Sequence, residues 1–302
     1  MTDKRIFDAI IVGGSYSGLS AGMTLGRALR NVLIIDSGQP CNIQTPHSHN
    51  FITQDGKTPK EISTLAKQQV KEYETVEFYD GLVTEAIKTE TGFEVTSLNN
   101  DSFKAKKLIF ATGVRDIMPE IKGFAQCWGI SLIHCPYCHG YEVRNQKTGI
   151  LANGDIAFHY AQLIKNWTKD LIIFTNGKST LSQEQVKKIE EHHIPVIEEE
   201  IVSFRHENGN LKEVIFVNGL TFQLNAIYTR PHFEQGCKIP EELGCELTEQ
   251  GFLKVDMFQK TSVQGIFACG DNASPLRAVS HAVATGGIAG AVLNNEMTEE
   301  EF

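Results

Sequence analysis

No stretch of this chain is apolar for the roughly 20 residues that a membrane-spanning helix needs, so no membrane partner is expected. Positive charge is also scarce: 28 Lys and Arg stand against 37 Asp and Glu, a formal net charge of −9. Phosphate backbones and anionic membrane surfaces call for a basic face, so no nucleic-acid partner is expected either. The start, Met1-Thr2-Asp3-Lys4-Arg5, runs at once into a strand-like stretch, without the apolar core and cleavage site of a secretory leader. A cytoplasmic location is therefore expected. Cysteine is sparse and scattered: there are seven, and only Cys135 and Cys138 lie close together. An odd, dispersed set is not the disulfide framework of a small secreted protein.

The 302 residues suggest about two domains, and 41% apolar with 22% charged residues fits ordinary folded cores. Phe7–Val12 reads as a buried strand, a glycine-rich turn and a helix from about Gly18 to Leu29 follow, and Asn31–Asp36 is a second buried strand. That is one β-α-β unit. A helix is predicted from about Thr58 to Glu72, short strands from about Val76 to Leu98, and a buried strand over Lys107–Gly113. A second α/β pattern then begins: strand Thr148–Ala152, helix about Ile156 to Trp167, strand Leu171–Phe174, helix about Ser182 to His192, and strands near Val196, Val214–Phe216 and Ile227–Thr229. The last segment returns to a strand, Gly265–Cys269, and a small-residue helix from about Leu276 to Asn294.

Four motifs carry chemistry. Gly13-Gly14-Ser15-Tyr16-Ser17-Gly18 follows the first strand. A dinucleotide site needs a tight turn, close backbone approach to a pyrophosphate, and a helix N-terminus aimed at that charge. Gly13 suits the turn and Gly18 the helix-strand contact, while Ser15 occupies the place of the middle glycine. Asp36, with Ser37 after it, ends the second strand where an acid can accept bonds from ribose hydroxyls. The second motif is Cys135-Pro136-Tyr137-Cys138-His139. One thiol of such a pair can attack a partner disulfide while the other resolves it, and His139 can move a proton. Half a zinc site or two unrelated thiols are the alternatives, but zinc usually takes a second CxxC or CxxH and none is present, so no metal is expected. The third motif, Gly265 to Asp271, is a strand and turn in which Gly270-Asp271 can bind a cofactor hydroxyl or phosphate. The fourth is a deficit: in Ala152-Asn153-Gly154-Asp155 the first fingerprint glycine is Ala152, Asp155 brings negative charge, and Phe174-Thr175-Asn176-Gly177-Lys178 has neither the acid that reads NAD nor an arginine for a 2′-phosphate.

These motifs, in this order and over essentially the whole chain, resemble the low-molecular-weight thioredoxin reductases. The resemblance implies an α/β fold of two Rossmann-like domains, each three-layer β/β/α, with an FAD domain split by a smaller pyridine-nucleotide-type domain. The expected halves are 1–116 and 246–302, around an inserted 117–245 that carries the redox pair and returns near Leu243-Gly244. By that pattern Cys138 faces the flavin and Cys135 is the outer, attacking thiol. The implied FAD contacts extend to Val83, Ala111-Thr112-Gly113, Gly270-Asp271 and the helix start at Arg277-Ala278-Val279. A homodimer is implied as well. The chain departs from the usual Cys-Ala-Thr-Cys-Asp in having His139 for the acid, has Ala278 where glutamine is common, and lacks the arginine-rich motif for NADPH. In these respects it resembles an offshoot that includes FAD-dependent dithiol oxidases. The expected function is thus a thiol-disulfide oxidoreductase using FAD, with NADPH or NADH weakly supported, acting on a small redox protein or a small-molecule dithiol or disulfide. An oxygen-dependent dithiol oxidase and a redox sensor without turnover are the alternatives. His281, one turn past Arg277, is expected to be an ordinary helix histidine rather than a flavin neighbour.

Overall fold

The computed structural model describes residues 6–302; Met1–Arg5, read above as free of a leader, lie outside the described residues. The chain forms two compact units, one comprising the described residues up to Ile43 with Lys57–Arg115 and Phe233–Phe302, the other Gln44–Gly56 with Asp116–His232. The change of unit falls between His232 and Phe233, ahead of the glycine at 244, because Ile239, Leu243 and Cys245 pack into the first unit's core.

In the first unit, parallel strands run in the order Val76–Asp80, Val32–Asp36, Ile6–Val12 and Ser102–Phe110, with Ile266–Ala268 pairing onto the last. The antiparallel pair Gly92–Ser97 and Val83–Thr89 continues the sheet from the start of Ser102–Phe110. The register puts Val12 opposite both Ile35 and Phe110, so the strand ends, and the turns after them, open along one edge. Alternate residues point to opposite faces. Ile10, Val12, Leu33, Ile35, Leu108 and Phe110 pack with Phe93 and Val95 of the antiparallel strands, whereas Ile11, Ile34 and Ile109 pack with Leu19, Leu25, Ala289 and Leu293 of two helices. Burial on both faces explains why these strands read as unbroken apolar runs, each large side chain contributing about 1.5–3 kcal/mol.

The second unit repeats the plan. Its parallel sheet runs Val196–Ile197, Leu171–Phe174, Thr148–Leu151, Ala226–Thr229, Leu132–Ile133. One face packs on the antiparallel strands Ile201–Glu207 and Asn210–Phe216 through Phe204, Val214 and Phe216, the other on helix Gly154–Ile164 through Ala157, Tyr160 and Ile164. Both units are therefore three-layer β/β/α.

Helix limits follow local chemistry. Thr58 and Glu61 form a capping box that starts helix Pro59–Lys71, and Ser182 and Gln185 do the same for Gln183–Glu191. The final helix is Val279–Glu301, longer than the apolar pattern suggests. Its charged end is held by Arg30 on Asn294 and Glu301 and by Lys107 on Glu296 and Glu300. Its glycines let it lie on the first helix, Tyr16–Arg27: a Cβ on Gly286 would stand 2.1 Å from the Ser17 carbonyl oxygen, and one on Gly290 2.8 Å from that of Ala21.

Gly286→Ala is expected to destabilise by about 1–3 kcal/mol, as overpacking does, lowering Tm by several degrees in differential scanning fluorimetry. Gly287→Ala, whose Cβ meets Ser20 Oγ at 3.5 Å and Thr24 Oγ1 at 3.9 Å, both ordinary contacts, is expected to leave Tm equal or higher, since alanine suits a helix interior better than glycine. Equal losses for both would show that helix contact does not select the glycine.

Candidate active site

The turn after the first strand is built on backbone proximity. Gly13 has φ 103° and its N–H donates to the Ile35 carbonyl at 2.8 Å. A Cβ there would stand 2.3 Å from the Ala111 carbonyl oxygen, and one on Gly18 would stand 1.9 Å from the Gly13 carbonyl oxygen. Helix, turn and the strand ending at Phe110 therefore meet main chain to main chain. Ser15 is the N-cap of helix Tyr16–Arg27, and its side chain makes no capping bond. The first amides of this helix remain available to an anion. Asp36 Oδ1 accepts the Gly14 N–H at 3.0 Å, fixing its carboxylate at the mouth of the turn. A cleft of about 450 Å³ continues from it, lined by Asp36, Ser37, Gly38, Asp80, Gly81 and Leu82; Val83 follows directly and is buried.

Ala111 N–H donates to the Val12 carbonyl at 2.8 Å, and Gly113 has φ 60°. Gly270, φ 85°, packs on Ser17 and donates to Thr285 Oγ1 at 3.1 Å. The Asp271 carboxylate lies 3.6 Å from Arg277 Nε and takes the Cys41 thiol at 4.0 Å. Ala278 is the N-cap of the final helix, again with no side-chain capping bond, and Val279 is its first residue. Asn272 and Gln235 were missed by sequence reasoning. Asn272 is fully buried, its Nδ2 donating to the Phe110 carbonyl at 2.8 Å, while its Oδ1 and the Oε1 of Gln235 are buried acceptors with no hydrogen-bond partner. Their signal in sequence is only adjacency, Asn272 directly after Gly270-Asp271. Two uncapped helix starts, a glycine cradle, a fixed carboxylate and orphaned acceptors fit a dinucleotide such as FAD.

In the second unit Cys135 and Cys138 are joined as a disulfide, Cα atoms 5.3 Å apart. Pro136–His139 is a single helical turn with Cys135 as its N-cap, whose Sγ accepts the Cys138 N–H at 3.2 Å. Proline at the first helical position has the right φ and no N–H to satisfy. Tyr160 Oη donates to the His134 carbonyl at 3.1 Å, holding the residue before the pair. Tyr137 is exposed and packs edge-on against Trp167. Burial holds the His139 imidazole below its ordinary pKa; Glu142 opposes this and His49 adds to it. His49 itself lies between two carboxylates, Nδ1 at 3.6 Å from Asp55 Oδ2 and Nε2 at 3.6 Å from Glu142 Oε1. Sequence reasoning missed His49 and Glu142, since nothing in the chain pattern places segment 44–56 beside residues 135–142. Four of the other five cysteines are poor nucleophiles: burial raises Cys127, Cys237 and Cys245 and pushes Cys269 up to about 12. The fifth, Cys41, is exposed. Among the described residues no group of three or more His, Cys, Asp or Glu could hold a metal ion. His281 belongs to the first unit, its Nε2 buried without a hydrogen-bond partner and its pKa lowered by burial.

The turn after Thr148–Leu151 differs from the one after the first strand. Asn153 caps the helix, its Oδ1 accepting the N–H groups of Gly154 and Thr180, both at 2.8 Å, while its Nδ2 donates to the Lys178 carbonyl at 2.9 Å. Asp155 Oδ1 accepts from Gln185 Nε2 at 2.7 Å. One side chain thus takes the first N–H of the helix, a donor that a pyrophosphate could use, and ties together the loops at 153 and 178–180. These residues give a pyridine nucleotide only weak support.

The family model for pyridine nucleotide-disulphide oxidoreductases matches residues 7–286. The chain belongs to that family. It is 32% identical to thioredoxin reductase tcpT of Claviceps purpurea, covering 98% of this chain and 96% of that one. Among solved structures, a thioredoxin reductase from Bacillus anthracis matches with TM-score 0.93 and 33% identity over 98% of this chain and 100% of that one. An oxidoreductase from Agrobacterium tumefaciens matches with TM-score 0.91 and 36% identity over 97% of this chain and 99% of that one. This oxidoreductase is a flavin-dependent enzyme of the thioredoxin-reductase type, with FAD as its cofactor, and the pyridine nucleotide of the family name is weakly supported by its own residues. No helix among the described residues is long and apolar enough to cross a membrane.

Asp36→Ala is expected to weaken FAD binding by roughly 10- to 100-fold, the scale of one or two charge-assisted hydrogen bonds. The ratio of flavin to protein absorbance after purification and dialysis measures it. Full retention of flavin would show that the carboxylate only braces Gly14.

Proposed function

We infer that this enzyme exchanges electrons between FAD and a dithiol or disulfide substrate through Cys135 and Cys138. The observation that carries this reading is the Cys135-Cys138 disulfide on one helical turn, with the half-buried His139 next to it in sequence. A substrate thiol gives its proton to the neutral imidazole of His139. The resulting thiolate attacks Cys135 Sγ, the Cys135-Cys138 bond breaks, and Cys138 leaves as a thiolate. Cys138 takes that proton from the imidazolium, a second substrate thiol gives its own proton to the freed imidazole and attacks the mixed disulfide, the substrate disulfide closes, and Cys135 leaves as a thiolate that the imidazolium protonates. The sum is one dithiol oxidised and the protein disulfide reduced to two thiols; the reverse sequence reduces a substrate disulfide. In that reverse direction the Cys138 N–H on Cys135 Sγ favours a thiolate there, which supports Cys135 as the attacking sulfur and Cys138 as its resolving partner. FAD supplies the two-electron store that keeps the pair cycling. Gly13, Gly14, Ser15 and Gly18 would receive its pyrophosphate and Asp36 its ribose. Ser37 and Val83 are proposed beside the adenosine, and Ala111, Thr112, Gly113, Gly270, Asp271, Arg277, Ala278 and Val279 along the rest.

Asn153 supports a second reading, in which the enzyme runs toward dithiol oxidation with oxygen as final acceptor. A usual reductase carries an acid after the second cysteine, suited to protonating a leaving thiolate; His139, held neutral by burial, is suited to taking a proton from an incoming thiol.

Either single substitution, Cys135→Ser or Cys138→Ser, is expected to lower dithiol or disulfide turnover by roughly 10³-fold or more; normal turnover in Cys138→Ser would refute the two-thiol mechanism. For direction, anaerobic stopped-flow reduction is decisive. Dithiothreitol is expected to bleach the flavin rapidly and micromolar NADPH slowly, and the opposite order would remove the oxidase reading.

A further inference from the structure

Glu142 stands where three sequence-distant pieces of the second unit converge. It follows the redox turn by three residues, and its Oε1 lies 3.6 Å from His49 Nε2, on the segment Gln44–Gly56. Asp55 meets the other nitrogen of His49 at 3.6 Å, so the imidazole bridges two carboxylates. From the sheet, Tyr228 on strand Ala226–Thr229 presents a fully buried hydroxyl with no hydrogen-bond partner, and both burial and the charge of Glu142 push its pKa up. We propose that Glu142 is a positioning residue for thiol exchange: it joins segment 44–56 to the redox turn and, with His49, sets the readiness of His139 to take a proton. The proposal rests on His139 being the exchange base.

The groups acting on His139 come from two elements. Glu142, three residues after it in sequence, favours the charged imidazole, and His49, from segment 44–56, disfavours it. Behind His49 stand Asp55 and, with ring centroids 6.4 Å apart, His47, whose Nδ1 is engaged with the Gly56 carbonyl at 3.0 Å. Arg144 stacks 3.8 Å over the Tyr141 ring. Glu142 and His49 therefore bias the same imidazole in opposite directions. An ordinary surface ion pair, worth about 0–1 kcal/mol, would affect stability only and leave His139 alone.

The test compares Glu142→Gln and His49→Asn in the flavin-loaded protein, with Glu142→Asp as the conservative variant. One readout is the NMR titration of the His139 Cε1–H in the oxidised protein, which needs no turnover. The other is the acidic limb of kcat/KM for dithiothreitol oxidation. Glu142→Gln is expected to move both to lower pH by about half a unit or more, the scale for a neighbouring charge on a partly buried group. His49→Asn is expected to move both to higher pH, and Glu142→Asp to restore most of the wild-type values. Unmoved His139 titration in both variants, or shifts of the same sign, would overturn the proposal even if turnover falls. A moving NMR titration with a stationary kinetic limb would also overturn it, and would place the failure in the choice of His139 as base. Absence of any dithiol turnover in the wild type would count against the functional reading while the NMR comparison still decides the coupling.

Discussion

The contact of main chain with main chain at Gly13 and Gly18 is the constraint from which the flavin-binding unit follows. A Cβ at Gly18 would occupy the space of the Gly13 carbonyl oxygen, and one at Gly13 that of the Ala111 carbonyl. Only glycine lets the first helix begin so close to the sheet, with its uncapped N-terminus directed along the strand ends. The same economy recurs one layer out, where Gly286 and Gly290 bring the final helix onto Ser17 and Ala21. That contact fixes Gly270 and Thr285 relative to the turn, so residues near both ends of the chain arrive at one edge of one sheet. The proposed cofactor site is thus a consequence of helix packing and not an addition to it.

Much of this was legible beforehand, and the reason is local. A β-α-β unit with glycines and an acid at its turn is specified by neighbours in sequence, and doubly buried strands announce themselves as apolar runs. The CxxC spacing is likewise local, as are the caps at Thr58 and Ser182. What escaped reading depends on tertiary placement. Segment 44–56 looks like a polar connection, yet it belongs with the unit that carries the redox turn and brings His49 to Glu142. Gln235 and Asn272 are ordinary amides until the fold buries their oxygens without partners. Asn153 read merely as a neighbour of the missing glycine; its bonds to Lys178 and Thr180 depend on where those residues return. The final helix outran its apolar pattern because ion pairs, invisible to periodicity, hold its last turns.

The two Rossmann-like units share a three-layer plan but treat the corresponding turn in opposite ways. In the first, Asp36 braces the turn from the neighbouring strand and Ser15 leaves the helix start uncapped. In the second, Asn153 does both jobs, capping the helix and bridging to the next loop. An asparagine side chain satisfies orphan amides as well as a phosphate oxygen does, without requiring a ligand. Such a turn is stable when empty and gains little from an anion. A duplicated architecture can therefore keep its packing while only one copy keeps an open cradle.

The chemistry around the disulfide is consistent with that asymmetry. An enzyme supplied with hydride from a nucleotide must push electrons outward, which favours an acid beside the resolving thiol to protonate the departing sulfur. An enzyme supplied by its substrate's own thiols must first remove a proton, and a carboxylic acid is too weak a base for a thiol of ordinary pKa. Imidazole is closer in basicity, and burial keeps His139 in the neutral form that can accept a proton. Burial alone, however, weakens the base it keeps neutral. A nearby carboxylate restores basicity, and a nearby imidazole moderates that effect, which is the arrangement that Glu142 and His49 provide. On the oxidase reading proposed above, the histidine after the second cysteine and the turn at Asn153 are two sides of one change: where electrons enter through thiols, the redox turn needs a tuned base and the second unit does not need a nucleotide.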